Sequence, residues 1–221
     1  DGIWRRLGFH CKRLAWKIVV NTTYIFKRQL DIIVSLILLI LLMPLFLIIM
    51  LLIVVESPGP IFFRQIRVGR RGELFSMWKF RSMYVNADAK LAEVAAANGQ
   101  EMGARVKIKN DPRITKVGHF IRKTSIDELP QFFDSLIGTM SVVGPRPQRQ
   151  FEVDEYNQVY ATRLLVKPGI TGPWQVSGRN DLSEEESQQL DVSYVQNWSV
   201  LGDIVYILRT IGTVLHPNGA Y

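Results

Sequence analysis

Residues 32–55, IIVSLILLILLMPLFLIIMLLIVV, carry no ionisable side chain. No other feature of the sequence limits the fold as strongly. Each Leu, Ile, Val or Phe at a bilayer centre is favourable by roughly 0.3–0.6 kcal/mol, so the run as a whole prefers lipid to water by several kcal/mol. Its length suits a transmembrane helix. A cleaved signal peptide does not fit. The run is too long, begins at residue 32, and has no small-residue cleavage site after it.

Pro44 stands in the middle of this run. Proline deletes one helical hydrogen bond and its ring clashes with the preceding turn, so the helix should kink at Met43-Pro44. Each half then measures about 18 Å at 1.5 Å per residue, short of a ~30 Å hydrocarbon core. Both flanks are basic: Arg5, Arg6, Lys12, Arg13, Lys17, Lys27 and Arg28 precede the run, and Arg64, Arg67, Arg70 and Arg71 follow it. Lys/Arg-rich flanks are retained on the cytoplasmic side. A spanning helix would export one of them, whereas a re-entrant bend keeps both inside. Proline is nevertheless tolerated in spanning helices. The residues alone leave two topologies open, a kinked span and a re-entrant hairpin.

The formal charge of +7 suits anionic lipid headgroups or a polyanionic substrate. Nucleic acid is not expected as a partner, because no recognition motif accompanies the charge. Cys11 is the single cysteine, which excludes an intrachain disulfide. His10, His119 and His216 lack metal-ligand spacing. No feature sets the oligomeric state; a homo-oligomer is allowed.

Beyond the run, Glu56-Ser57-Pro58-Gly59-Pro60 ends the helix. Residues 61–68 and 73–83 read as two strands of a hairpin around 69–72. Helices are expected over 84–97, 114–123, 128–136 and 151–165, with a loop over 98–111 and a short strand over 141–144. Residues 167–180, rich in Gly and Pro, read as an ordered loop. Ser183 and Glu186 form a capping-box signature for a helix to about residue 196. Leu201, Ile204, Val205, Leu208, Ile211 and Leu215 recur at helical spacing, which fits a core helix or a helix lying in a membrane interface. The fold class is therefore α/β: a small catalytic-sized domain with an N-terminal kinked membrane helix.

The most informative chemistry lies in Arg122-Lys123-Thr124-Ser125-Ile126-Asp127-Glu128-Leu129-Pro130-Gln131. Pro130 belongs in the first turn of a helix, which sets Asp127 and Glu128 at a helix start. Adjacent carboxylates beside cations can hold Mg²⁺ together with substrate phosphate oxygens, and an Asp carboxylate can attack phosphorus. An Asp at that place is also a plain N-cap. Three further clusters pair a cation with rigid or Gly-rich backbone: Lys79-Phe80-Arg81, Val143-Gly144-Pro145-Arg146-Pro147, and 168–172 followed by Gly178-Arg179-Asn180. Arg with free backbone N–H groups suits oxyanions such as a pyrophosphate. Each taken singly is also an ordinary surface cation on a turn.

Taken in order, SPGPIFFRQIRVG, KFRSM, DPRITKVGHFIRKTSIDELPQ, SVVGPRP, KPGITGPWQVSGRN and LDVSYVQNWS resemble the bacterial sugar transferase family, the monotopic phosphoglycosyl transferases. The resemblance runs from about Lys27 to the C-terminus. It implies a re-entrant membrane helix over 27–56 and a cytosolic catalytic domain over 57–221 with amphipathic interfacial helices. The implied location is the cytoplasmic face of a bacterial inner membrane. It further implies Mg²⁺, a UDP-sugar donor and a polyprenyl phosphate acceptor. The family's acidic dyad falls on Asp127 and Glu128, both metal-binding, and the implied mechanism is two-step. The first carboxylate takes the sugar-1-phosphate and releases UMP, then the lipid phosphate takes it from the enzyme. Arg122, Arg146 and Arg179 match family positions that would grip phosphate or nucleotide, and Lys79 and Arg81, from the cation cluster after the hairpin turn, are expected to bind substrate with them. One departure stands out: some members have Ser before the kinking Pro, and here it is Met43. In larger members this region is the C-terminal part, so 1–26 reads as a juxtamembrane remnant of a longer chain. Two other readings fit the residues, a single-step transferase whose dyad only holds metal, and a membrane-anchored protein without catalysis.

Overall fold

The computed structural model describes residues 2–87, 89, 90, 111–178 and 182–215, and within these the side chains from residue 22 to residue 213. Helix α1 (Gly2–Leu41) and helix α2 (Met43–Glu56) meet at Leu42, whose φ of −89° and ψ of 2° break the helical path. The axes of Thr22–Leu41 and Met43–Glu56 differ in direction by 61°. The expected bend is thus present. Pro44 falls in the first turn of α2, where a missing N–H leaves no acceptor wanting within that helix. Among the described residues no single helix is long and apolar enough to cross a membrane; the bent pair meets that test only as a pair.

One face of the pair packs inward. Asp31, Ser35 and Leu39 recur every four residues on α1, and Phe46, Ile49 and Ile53 continue on α2, all buried. Phe46 packs edge-on against Phe80 at 5.1 Å and Phe133 at 6.2 Å. The opposite face, including Ile37, Ile40, Leu47, Ile48 and Leu51, is exposed. Both ends of the pair are bonded to the same domain. At the α1 end, Arg28 donates to the carbonyls of Ser135 and Leu136 (2.6 and 2.7 Å), and Asp31 accepts from Ser141 Oγ and Val142 N–H (2.8 and 2.9 Å). At the α2 end, the Glu56 carboxylate accepts the N–H groups of Lys116 and Val117 at 2.7 and 2.8 Å.

The strands expected around 69–72 form an antiparallel hairpin, β1 (Phe62–Val68) and β2 (Leu74–Phe80), with Phe62 opposite Phe80 and Val68 opposite Leu74. The expected helix over 84–97 is not present at its start, where 85–87, 89 and 90 form turns; the rest of it, and the loop over 98–110, lie outside the described residues. Helix α3 (Lys116–Lys123) is capped by Thr115, whose Oγ1 accepts from Gly118 N–H at 2.8 Å. Next come a 3₁₀ turn over Ile126–Glu128, α4 (Gln131–Ile137) and β3 (Ser141–Val143).

The single helix expected over 151–165 is two pieces, α5 (Gln150–Asp154) and a 3₁₀ turn over Tyr160–Leu165. Asn157 Oδ1 accepts the Tyr160 N–H at 2.9 Å and so starts a new turn where the periodicity suggested continuity. The expected loop over 167–180 contains β4 (Gly169–Thr171) and α6 (Pro173–Val176). β4 runs parallel to β3, Ser141 opposite Gly169 and Val143 opposite Thr171. The architecture is therefore mixed helix and strand, with two two-stranded ladders among the described residues in place of a continuous central sheet.

Helix α7 (Glu184–Gln196) opens with the expected capping box: Glu186 N–H donates to Ser183 Oγ, and Ser183 N–H to Glu186 Oε2. Helix α8 (Val200–Leu215) excludes the core-helix reading for most of its apolar positions. Leu201 is 76% exposed, and Ile204, Val205, Leu208 and Ile211 are exposed with it, while Asp203 is fully buried.

Asp134 on α4 fastens the hairpin to the helical layer. Its carboxylate is buried and accepts the Trp78 N–H at 2.9 Å, and among the described residues no cation bonds to it. Burial pushes this carboxyl from 3.8 up to about 6, although the Trp78 and Thr139 hydrogen bonds oppose the shift. An acid raised in the folded state contributes most below its unfolded pKa, and that contribution is lost as pH climbs through the folded one. Asp134→Asn keeps an acceptor and removes the charge. Between pH 4 and pH 7 the variant should gain roughly 2 kcal/mol relative to wild type, read by thermal unfolding in detergent. Parallel pH profiles would show that Asp134 carries no such penalty.

Candidate active site

Four elements converge beneath the hairpin. β1 contributes Arg67 and β2 contributes Lys79. The 3₁₀ turn contributes Asp127 and Glu128, and the segment after β3 contributes Arg146. Arg67, Lys79, Glu128, Gln131, Arg146, Pro147, Ile170 and Gln175 line one cavity. The dyad is presented by a chain reversal at Ser125, whose φ of 57° is left-handed. A non-glycine residue costs roughly 1–2 kcal/mol there. Pro130 is the N-cap of α4, and Ser125 that of the 3₁₀ turn. Asp127 caps neither, so the plain N-cap reading fails. The dyad sits one short turn before the α-helix rather than within its first turn.

The two carboxylates have different surroundings. Lys79 Nζ lies 2.8 Å from Glu128 Oε1, and the Glu128 side chain is 29% exposed. Burial by itself would raise the Glu128 carboxyl, but the cations Lys79, Arg146 and Arg67 outweigh it and hold it at about 2. Glu128 is therefore ionised throughout the working range. Asp127 is half-buried. Its carboxylate is held by its own backbone N–H, and no other described residue bonds or ion-pairs with it. Burial, with the neighbouring Glu128 charge, raises it to about 6 against the pull of Lys79 and Arg122. A carboxylate raised in this way is a stronger base and nucleophile than an ordinary one, and near neutrality most of it is ionised.

Arg67 completes the site and was legible in the sequence only as a flanking charge. It is 6% exposed, donates to the Pro147 carbonyl (3.3 Å) and to Gln65 Oε1 (2.8 Å), and its Nε has no partner. Burial lowers the guanidinium to about 10, helped by Arg146 and Arg149. Such mutual repulsion is relieved by a bound anion. Gln131 was missed as well, although it follows Glu128 by three residues and such spacing shares a helix face.

The remaining expected residues are placed as follows. Arg146 stacks over Trp174, its guanidinium carbon 4.8 Å from the ring centre. Arg122 is exposed at the end of α3 and reaches Asp127 through its charge. Arg81 is buried and donates to the Ser57 carbonyl, which ties the hairpin to the end of α2. Arg179 lies outside the described residues. The backbone of two glycine clusters corrects one expectation. Gly144 N–H donates to Thr171 O and Gly169 N–H to Pro145 O, so these N–H groups are not free for an oxyanion. A Cβ on Gly169 would come within 2.1 Å of Gly144 N, so glycine is needed there for two backbones to meet.

Asp127 and Glu128 are hard oxygen donors, and among the described residues no group of three acidic, His or Cys side chains surrounds them. A two-carboxylate set suits an ion that keeps several waters and accepts phosphate oxygens, as Mg²⁺ does. It does not suit zinc. The residues present therefore fit Mg²⁺.

Comparison with known proteins identifies the family. The bacterial sugar transferase family model matches residues 22–217. The undecaprenyl-phosphate galactose phosphotransferase of Salmonella typhimurium is 43% identical over 212 residues, 95% of this chain and 44% of that protein. The UDP-galactose-lipid carrier transferase of Erwinia amylovora is 42% identical over 212 residues, again 95% of this chain and 44% of that protein. The chain thus spans less than half the length of these two relatives. The exopolysaccharide production protein ExoY of Sinorhizobium fredii is 42% identical over 200 residues, covering 89% of this chain and 88% of that protein.

The asymmetry of the dyad can be measured directly. In protein carrying ¹³C-labelled aspartate, the Asp127 carboxyl should titrate near pH 6, and the signal should vanish in Asp127→Asn. Lys79→Met removes a cation that favours the ionised form, so the midpoint should move to higher pH. A wild-type midpoint near 4 that ignores the Lys79 substitution would contradict the account.

Proposed function

We propose that this chain, which belongs to the bacterial sugar transferase family, moves a sugar-1-phosphate from a UDP-sugar to a polyprenyl phosphate and releases UMP. The relatives' names, a UDP-galactose-lipid carrier transferase and an undecaprenyl-phosphate galactose phosphotransferase, support that donor and acceptor. The observation that carries the mechanism is the division within the dyad: Glu128 is paired with Lys79, whereas the Asp127 carboxyl is bonded only by its own N–H among the described residues and has a raised pKa.

In the first step an Asp127 oxygen attacks the phosphorus that bears the sugar. The bond from that phosphorus to the bridging oxygen breaks, and UMP leaves with the electron pair. The sugar-1-phosphate remains as an aspartyl ester. In the second step an oxygen of the lipid phosphate attacks the same phosphorus. The aspartyl bond breaks, the carboxylate is restored, and a lipid-linked diphosphosugar leaves. Arg146, Arg67 and Lys79 neutralise and orient the diphosphate. Asp127 and Glu128 would hold Mg²⁺, which supplies further charge neutralisation on the phosphoryl oxygens.

The bent pair supports a re-entrant reading. Polar backbone cannot be left unsatisfied in hydrocarbon, and both ends of the pair are bonded to one domain. That domain lies on one side of the bilayer, so both ends do too. Two legs of about 20 Å meeting at the observed 61° bend dip about 10 Å when their ends are level, within one leaflet of a ~30 Å core. Helix α8, with its apolar side outward, lies in the interface beside them. With both Lys/Arg-rich flanks of the run kept inside, this reading has the protein act at the cytoplasmic face of a bacterial inner membrane.

Three results follow from this reading. Incubation with a UDP-sugar and Mg²⁺, without lipid, should release about one UMP per enzyme and add a sugar phosphate to the protein mass. Asp127→Asn should do neither while remaining folded, and a single-step transferase would release no UMP under these conditions. EDTA should stop turnover and added Mg²⁺ restore it; full activity in EDTA would remove the metal. Finally, with Cys11 replaced, single cysteines at Gln29 and Glu73 should both react with an impermeant label from the cytoplasmic side. Labelling from opposite sides would establish a spanning helix.

A further inference from the structure

We infer that the buried Arg163–Asp191 ion pair is a positioning device for Arg146. The inference rests on the proposed reading that the Arg146 guanidinium grips substrate phosphate. Arg163 stands in the 3₁₀ turn over Tyr160–Leu165 and Asp191 on α7; they are 5% and 1% exposed. Arg163 Nη2 and Asp191 Oδ2 are 2.6 Å apart. Both groups of the pair also bond to one peptide unit after another of the same residue. Asp191 Oδ2 accepts the Arg146 N–H, and Arg163 Nη2 donates to the Arg146 carbonyl, each at 3.3 Å.

The local sequence explains the need. In Pro145-Arg146-Pro147 neither proline has an N–H, so Arg146 has the only backbone donor of the three. The β3–β4 ladder reaches Gly144 N–H and the Pro145 carbonyl. Arg146 lies beyond it and takes its backbone partners from the ion pair instead. Its side chain is then set on the Trp174 face at 4.8 Å. Backbone and side chain are thus fixed from different elements, α7 and the 3₁₀ turn on one side and α6 on the other. Tyr156 OH bonds to Arg163 and holds that partner in turn.

Stability alone is a poor reason for this pair. A buried ion pair repays little of its desolvation, and apolar residues of similar volume often serve as well or better. Among the described residues Arg163 Nε and Asp191 Oδ1 have no partner, so the pair is not even fully satisfied there. What it does satisfy is the backbone of one residue, and that residue reaches the Glu128 cavity.

A double-mutant cycle on kcat/KM for the UDP-sugar tests the assignment, with melting temperature followed in parallel. Asp191→Ala should lower kcat/KM at least tenfold when Arg146 is present. In an Arg146→Ala background the same change should alter it less than twofold. Equal losses in both backgrounds would mean a structural role and overturn the inference while leaving Arg146 as a phosphate grip. An Arg146→Ala variant with nearly wild-type kcat/KM would overturn that grip and the inference with it. Should Asp191→Ala not fold, Asp191→Asn and Arg163→Lys take its place in the cycle. Each should show a smaller loss of the same kind, confined to protein that has Arg146, and additivity there would overturn the inference equally.

Discussion

Asp31 is a carboxylate buried at 2% exposure, immediately before the charge-free run, and the placement of the site depends on it. It accepts from Ser141 Oγ and from the Val142 N–H, and so binds β3 to α1. Lys27, one turn earlier, donates to the Val143 carbonyl and lies 2.8 Å from Asp203 of α8. Arg28 takes two carbonyls at the end of α4. Three parts of the domain, α4, β3 and α8, are thereby fixed to about one helical turn. β3 leads straight to Arg146, and α4 follows the dyad. At the other end of the pair, Glu56 caps α3, which precedes the dyad. The apolar pair therefore frames Asp127, Glu128 and Arg146 through hydrogen bonds from both of its ends.

Charge within the frame is deliberately unbalanced. Arg67, Lys79 and Arg146 face Glu128, the one acid among the described residues that line the cavity, with Glu152 3.7 Å from Arg67 outside that lining, and Asp127 stands beside them with a raised pKa. A cavity with surplus positive charge and low exposure gains most from a polyanion, since Coulomb energy grows as the surrounding dielectric falls. The same surplus keeps Glu128 at about 2 while burial lifts Asp127 to about 6. Two adjacent carboxylates are thus set apart by their surroundings, Glu128 by the cations Lys79, Arg146 and Arg67 and Asp127 by burial.

The sequence made some of this legible and hid the rest for identifiable reasons. The bend at Met43-Pro44, the hairpin and the capping box at Ser183 follow from local rules, and those rules hold where no tertiary contact opposes them, whereas the dyad was read from the family resemblance. The break within 151–165 was hidden because a helical period runs through Asn157, whose side chain caps a new turn. The glycines of VGPRP and PGITG suggested open N–H groups, yet they serve the contact between two strands remote in sequence. Arg67 looked like one more flanking cation. Only the pairing of β1 with β2 and the approach of Pro147 show that it is buried in the cavity. The role of Asp191 was similarly hidden, because its partners come from segments nearly thirty and more residues away.

Helix α8 carries the argument from the site to the surface around it. Its period of apolar residues matches a core helix, but the core side of the helix holds Asp203, which is fully buried. Asp203 accepts from Tyr194 OH at 2.7 Å and Trp198 Nε1 at 3.0 Å and pairs with Lys27. Those bonds decide which side faces inward, and they turn Leu201, Val205 and Leu208 outward. In water such a stripe would lose the burial that usually stabilises an amphipathic helix. Against lipid the same orientation is favourable. Lys27 touches both Asp31 of α1 and Asp203 of α8, so the outward faces of the bent pair and of α8 are set by one contact. In the proposed re-entrant docking, a bilayer that receives the first at a given depth would fix the height of the second. It would also fix the height of the Arg146 segment that β3 carries between them.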